Sequence, residues 1–478
     1  MRQNWRSRFS GAPEVLLPRW LATAAAVALL LPVCGFLPDA AKPPVEDLIV
    51  TAAPVNLPLA ALDGGERFPR GAQLLRIAAG KAQPLVPGFA ATADANLSFD
   101  GQRVLFTGKK NSSDPWQIWE LALGDGALRL LYAGTTDAIR PLYLPAGQFV
   151  FARRVATGFQ LAVAGTVNAD PMANIDANAA DTLTQISYLP GNAIPEDVLA
   201  DGRILFTAHF PLGEGTQPEL FLVYSDGSGV ESYRCDHGRG RWGGKQLTSG
   251  DVIFTHGETL ARFTSPQAHE LAVAAPRAAY SGAIAETATG DWLVSTRTAA
   301  AAHYALAQWK PGSPALHAIY ATAQEDVIDP VVVAARPRPR RHPSTLHPWD
   351  YTNLLALDAR LSREGDLKTL PAAVRLETLD AQGHAVVHGI APISSDGSFF
   401  LQAPGNQPIR FALLDAKGAV LRQEHGWFWA RGGEQRICVG CHTGPERAAE
   451  NRVPAVLLKS TTPADLTGAM KPEPSGDK

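Results

Sequence analysis

The sequence is poor in sulfur. Its 478 residues include only 4 cysteines, at positions 34, 235, 438 and 441, and 3 methionines, Met1, Met172 and Met470. That is too few cysteines to staple a chain of this length with disulfides. A second CxxC is missing, so a four-cysteine zinc site is excluded. Charge of one sign is also lacking: the formal net charge is −3 and no basic stripe is present, so no nucleic-acid partner is expected. Long helical runs are scarce, while Gly 43 and Pro 37 punctuate the chain, as they do in all-β architecture.

Length alone predicts two domains plus appendages. Arg2, Arg6, Arg8 and Arg19 precede a short apolar run, Leu21–Leu31, which suits export better than a mature membrane span. Residues 1–35 read as a signal peptide or a lipoprotein signal. Cleavage after Gly35, lipidation at Cys34 and retention as an anchor all stay open. The expected location is the periplasm or cell envelope. The membrane is reached only through an N-terminal lipid or an uncleaved anchor.

Against this scarcity, Cys438-Val439-Gly440-Cys441-His442 stands out. Two thiols spaced by two residues and followed by histidine form the attachment pattern for a c-type haem. Cys438 and Cys441 would add to the two vinyl groups, and His442 would ligate the iron. The plainer alternative is an exposed thiol pair or half of a zinc site. One covalent haem c is expected, with covalent attachment outside the cytoplasm agreeing with export.

Upstream, a phrase recurs: Phe99-Asp100-Gly101 before Arg103-Val104-Leu105-Phe106, then matching turns and strands around Gly147, Gly202, Gly250 and Gly290. The steps are 46, 55, 48 and 40 residues, a period that indicates propeller blades. The strand after each glycine is taken as the inner strand of its blade. Residues 36–335 are therefore expected to form a six- or seven-bladed TolB/WD40-like β-propeller. Within it, Cys235, Asp236 and His237 fall where a blade loop should emerge. Cys235 and His237 are candidates to hold an additional metal ion or to cap the haem iron, the alternative being a buried free thiol beside a turn.

Residues 336–350, rich in proline and arginine, read as a stiff extended spacer; the alternative is that their arginines meet haem propionates. Residues 351–458 read as a small β-sandwich-like module carrying the haem motif, and 459–478 as a disordered tail. Trp427, Phe428 and Trp429 are candidates to cover the haem or to fill the sandwich core. For the sixth iron ligand the candidates are His384, His388 and His425, or an open face; Met470 lies in the polar tail.

The phrase running from Ser395-Asp396-Gly397 through Arg431-Gly432-Gly433-Glu434 to Cys438–His442, placed after the propeller repeats and the Pro/Arg linker, resembles the hydrazine synthase alpha-subunit family. The resemblance implies a propeller followed by a haem module. It also implies more than one haem site and, at the catalytic haem, a tyrosine iron ligand shortly after the motif with the motif histidine turned to zinc. This chain has a single CxxCH, is followed by Thr443-Gly444-Pro445-Glu446, and has no tyrosine after Tyr351. The architecture is implied; hydrazine synthesis is not. The leading expectation is electron transfer with a redox partner protein. The alternatives are a catalytic haem acting on a small nitrogen or oxygen species, and a propeller-based binding or assembly protein.

Overall fold

The computed structural model describes residues 46–165, 182–210, 217–234, 239–362, 364–380, 382–440 and 450–468. Six sheets form a six-bladed β-propeller, and two further sheets form a sandwich after it. The first blade holds β1 (Leu48–Ala53), β2 (Gln73–Ala78) and β3 (Lys81–Pro84). The second holds β4 to β7, at Ala91–Leu97, Arg103–Lys109, Gln117–Ala122 and Leu128–Tyr132. The third holds β8 to β11, at Ala138–Tyr143, Phe149–Val155, Gly158–Ala164 and Thr184–Gln185. In the fourth, β12 to β15 lie at Asn192–Val198, Ile204–His209, Glu219–Val223 and Glu231–Ser232. In the fifth, β16 to β19 lie at Arg241–Gln246, Val252–His256, Thr259–Phe263 and Leu271–Ala272. The sixth has β20 (Ala279–Tyr280) and β21 (Ala285–Glu286) sharing one position beside β22 (Trp292–Arg297), then β23 (Ala305–Trp309) and β24 (His317–Tyr320). Finally β25 (Asp326–Val332) returns to pair with β1 and closes the ring.

The recurring glycines sit in the hairpin turns between the first and second strands of blades 2 to 6. At Gly101, for example, the turn joins β4 to β5. This corrects the expected assignment: the apolar strand after each glycine is the second strand, and the inner one precedes it. Only five copies of the phrase exist because the inner hairpin of the first blade is replaced by the closure of β25 on β1. Apolar faces of adjacent blades pack together, as where Val150 and Leu161 of blade 3 meet Phe206 and Val223 of blade 4.

Every inner position is irregular. The ladder shifts between Ala93 and Asn96, Ile139 and Leu142, Pro195 and Asp197, and Trp242 and Lys245. It shifts again where β25 meets Ile49–Thr51, and blade 6 breaks between β20 and β21. A bulge re-aims a side chain, and here it turns residues of different blades toward the axis. Asp94, Arg140 and Glu196 line the cavity at the channel. Asp329 joins them, and Arg67 reaches in from the β1–β2 loop, 2.8 Å from Asp329 and 3.5 Å from Asp94. Arg140 lies 3.5 Å from Glu196 and 3.9 Å from Asp94.

The expected spacer is a strap along the propeller. Arg336 N donates to the Phe99 carbonyl and Arg340 N to the Ala200 carbonyl, both at 2.9 Å. The Arg336 guanidinium stands over the Phe99 ring at 4.5 Å, and His342 stacks on Tyr224 at 3.7 Å. The arginines are thus engaged by blade turns, whose exposed carbonyls and rings offer partners that an isolated linker lacks.

The sandwich comprises β26 (Tyr351–Ala356), β27 (Ala373–Leu379), β28 (Ala385–Pro392), β29 (Phe399–Pro404), β30 (Ile409–Leu414), β31 (Val420–Gln423), β32 (Gln435–Cys438), α1 (Ala455–Lys459) and β33 (Ala464–Asp465). One sheet has the order β32-β26-β29-β33 and the other β28-β27-β30-β31. Leu354, Leu401, Val374, Leu376 and Phe411 fill the space between them. The tail expected to be disordered from 459 is ordered at first. β33 pairs in parallel with β29, and Leu466 is buried in the sandwich core. Burial of Leu466 and pairing at a free sheet edge hold it there.

Candidate functional site

Cys438 is the last residue of β32, a parallel edge strand paired to β26 with Ala356 opposite Cys438. The Leu357 and Asp358 amides donate to the Cys438 and Val439 carbonyls at 2.9 and 3.2 Å. The thiol is unpaired and half-buried. Successive side chains of a strand alternate faces, so Arg436 and Cys438 share one face while Ile437 turns to the other. Ile437 is 67% exposed.

The face of Arg436 looks onto blade 4. Arg436 Nη2 donates to the Val230 carbonyl at 2.6 Å. Glu434 Oε1 accepts from the Gly229 amide at 3.1 Å, and its Oε2 from the Arg431 amide at 2.9 Å. Arg431 Nη1 donates to the Tyr188 hydroxyl at 2.6 Å and to Asn406 Oδ1 at 2.8 Å. Gly227 has φ +85°, and a Cβ there would lie 2.7 Å from Arg431 Cδ, so this turn is shaped to receive the docking segment.

The three aromatic residues before the motif do different work. Trp429 is fully buried among residues of blades 3 and 4 and donates from Nε1 to the Gly227 carbonyl at 3.1 Å. It anchors the module to the propeller. Phe428 packs against the sandwich core, and Trp427 lies under the Arg410 guanidinium at 4.5 Å. This docking was missed in the sequence, although the alternating charges of Glu434 and Arg436 on one strand face were a signal for it.

Burial works against the charge on Arg436, yet the Cys438 sulfur and the Glu434 carboxylate beside it hold its pKa above the ordinary guanidinium value. Its Nη1 is buried with no oxygen acceptor at hydrogen-bond distance among the described residues, Glu434 Oε1 being 3.8 Å away. On the other side of the motif, Leu357, Asp358, Leu361, Val439, Glu450, Arg452 and Pro454 enclose a small cavity. Its far wall is clamped by Asp396, whose Oδ2 accepts from Arg452 at 2.6 Å and from the Ala455 amide at 2.7 Å. Burial opposes ionisation of Asp396, but the Ser398 hydroxyl, the Ala455 and Ser398 amides and Arg452 outweigh it and hold the carboxyl at about 2.

Cys441 and His442 lie outside the described residues, as do Cys235 and His237. The residues bracketing the latter pair can be placed. Arg239 N bonds Glu219, at the start of β14, whereas the sandwich meets the turn after the end of β14. Among the described residues no three His, Cys, Asp or Glu side chains group as a metal site. The three histidines considered for the iron have other partners. His384 and His388 stand at or on β28, in the sheet that lacks the motif, with His388 Nε2 3.0 Å from the Thr467 carbonyl. His425 is 3.5 Å from Glu364.

The described half of the motif fits a covalently held haem. Cys438 is reachable, an exposed isoleucine and a partly apolar cavity flank it, and a buried guanidinium beside it has an unused donor.

Residues 364–443 match the family model of the hydrazine synthase alpha subunit middle domain. The fold is similar to that of Kuenenia stuttgartiensis hydrazine synthase, with a TM-score of 0.75 at 16% identity, covering 87% of this chain and 72% of that one. TolB from Acinetobacter baumannii is a more distant neighbour, with a TM-score of 0.42 at 11% identity, covering 59% of this chain and 66% of that one. No curated protein matches the chain.

Proposed function

We propose that this hydrazine synthase alpha-like chain is an exported protein with one haem c, which it uses to pass electrons singly to or from a redox partner protein. The observation that carries the reading is the position of Cys438, a free, half-exposed thiol closing an edge strand at the junction with the propeller. Cys438 and Cys441 would hold the haem and His442 its iron, supplying one-electron redox chemistry. The chain's own residues fix that site. β26 sets the register of β32, Trp429 and Glu434 seat the module on blade 4, and Asp396 holds the segment that returns from the motif. Arg436, with its unused Nη1, is suited to receive an acidic group such as a propionate.

A second reading, a catalytic haem with an open face for a small nitrogen or oxygen species, is favoured by the histidines. His384, His388 and His425 are each engaged elsewhere.

Absorption and resonance Raman spectra of the exported protein test both. Haem that resists acid extraction and is absent from a Cys438→Ala/Cys441→Ala variant supports attachment. Six-coordinate iron in both redox states then supports electron transfer. Five-coordinate iron that binds cyanide or nitric oxide supports the open site. A mature protein without covalent haem overturns both.

A further inference from the structure

The β1–β2 loop closes the propeller channel on one side only. Its Leu62 carbonyl accepts from Asn192 Nδ2 at 2.8 Å, its Gly64 carbonyl from Arg154 Nη1 at 2.9 Å, and its Glu66 carboxylate from Trp116 Nε1 at 3.2 Å. Those partners belong to blades 2, 3 and 4. Over blades 5 and 6 a cleft of about 590 Å³ is left open, a volume in the range of small-ligand sites.

Its walls combine rings and charged groups: Trp242, Tyr280 and Tyr304 with Arg239, Arg297 and Glu258. Burial pushes the Tyr280 hydroxyl up to about 12, so that wall stays neutral at physiological pH. Arg297 donates to Glu258 at 2.7 Å and stands over the Tyr304 ring at 4.7 Å. Its Nε is buried and has no acceptor among the described residues. Arg239 is exposed at the rim. Two guanidinium groups lining one cleft suit an oxyanion. Flat aromatic walls recognise an apolar ring.

We propose that the cleft over blades 5 and 6 binds a small organic oxyanion carrying a flat apolar body, either a carboxylate or a phosphate ester. The oxyanion is held by Arg239 and Arg297, and the ring lies against Trp242 and Tyr304. The site is on the channel face away from the sandwich, so it does not depend on haem.

The test is calorimetric titration of the full chain with benzoate and with phenyl phosphate, alongside benzyl alcohol and inorganic phosphate. At least one aromatic anion is expected to bind about tenfold or more tightly than either control, since each half of the recognition is missing from one control. Arg239→Gln, at an exposed position, is expected to weaken that binding about tenfold. Binding of benzoate alone identifies carboxylates, and of phenyl phosphate alone phosphate esters. Equal binding of benzyl alcohol, no heat with either anion, or an Arg239→Gln variant that binds like the parent overturns the proposal.

Discussion

Trp429, in the segment leading to the haem motif, is hydrogen-bonded through Nε1 to the Gly227 carbonyl, 202 positions earlier in the chain. Its ring lies 6.3 Å from that of Phe206 in blade 4. One side chain therefore belongs to the sandwich by sequence and to the propeller by packing. Trp429→Ala removes a fully buried aromatic and is expected to cost about 3–5 kcal/mol. Trp429→Phe keeps most of the packing and loses the donor, for about 1 kcal/mol. Denaturant melts read both, and limited proteolysis should cut Trp429→Ala between the propeller and β26 sooner than the parent.

The strap gives an internally controlled test. Gly202 and Gly250 occupy equivalent turns with the same φ of +92°, but a Cβ at Gly202 would collide with the Arg340 carbonyl while one at Gly250 meets nothing within 4 Å. Alanine at either site carries the same backbone strain, about 1 kcal/mol. Gly202→Ala is expected to cost more, and the excess measures how tightly residues 336–342 are held. Hydrogen exchange at the Arg340 amide, bonded to the Ala200 carbonyl at 2.9 Å, should accelerate only in Gly202→Ala.

Inside the channel, Arg140 serves two acids at once. It stands 3.5 Å from Glu196 and 3.9 Å from Asp94, with all three buried or nearly so. Arg140→Met leaves those carboxylates without their shared cation and is expected to cost about 3–5 kcal/mol. Adding Glu196→Gln should return part of that loss, and a double-mutant cycle by denaturant melts measures the coupling. Glu196 and Asp329 respond oppositely to pH. Burial raises Glu196 more than Arg140 lowers it, so its contribution is fully present below its unfolded pKa and is lost as pH rises through the folded one. Burial also works to raise Asp329, but Arg67 and Arg140 overcome it, so its contribution is present above the unfolded value and is lost on acidification.

Much of the propeller was legible because a hairpin turn demands the same few residues wherever it occurs, and five such turns repeat at blade spacing. The first blade carried no such mark. Its four strands come from both ends of the propeller sequence, and only closure brings Ile49 opposite Val331. The bulged residues Asp94, Arg140, Glu196 and Asp329 were equally hidden, since a polar residue in an apolar strand shows its purpose only when other blades supply the opposite charge. Cys438 was plain from spacing alone. The docking of its strand was not, because Trp427, Phe428 and Trp429 are alike in composition and differ only in the neighbours they meet.

The clamp behind the motif predicts an acid-sensitive segment. Asp396, held at about 2, bonds Arg452 and the Ala455 amide. Its folded pKa is below the unfolded value of about 3.9. The clamp is therefore at full strength above about pH 4 and is lost as pH falls toward 2. Asp396→Asn should free residues 450–459 at neutral pH as acid frees them in the parent, read by hydrogen exchange at Ala455 and Val456. Exchange at those amides unchanged by Asp396→Asn would count against the clamp.

Arg436 offers a test of where the proposed haem would lie. Its guanidinium is charged, buried and beside the Cys438 sulfur. A fixed positive charge near an iron centre stabilises the electron-rich, reduced form, so removing it lowers the reduction potential. For a separation of about 10 Å and an effective dielectric of about 20, the interaction is about 1.7 kcal/mol, on the order of 70 mV for one electron. Arg436→Gln is expected to lower the midpoint potential by that order while leaving covalent attachment through Cys438 and Cys441 intact. Gln retains a donor for the Val230 carbonyl, which Arg436 holds at 2.6 Å, so docking of β32 should largely survive. Its survival can be checked by comparing melts with Trp429→Ala. A potential that falls while the melt stays near that of the parent places the haem on the propeller-facing side of β32. A potential that does not move counts against a haem held on the face that Cys438 shares with Arg436.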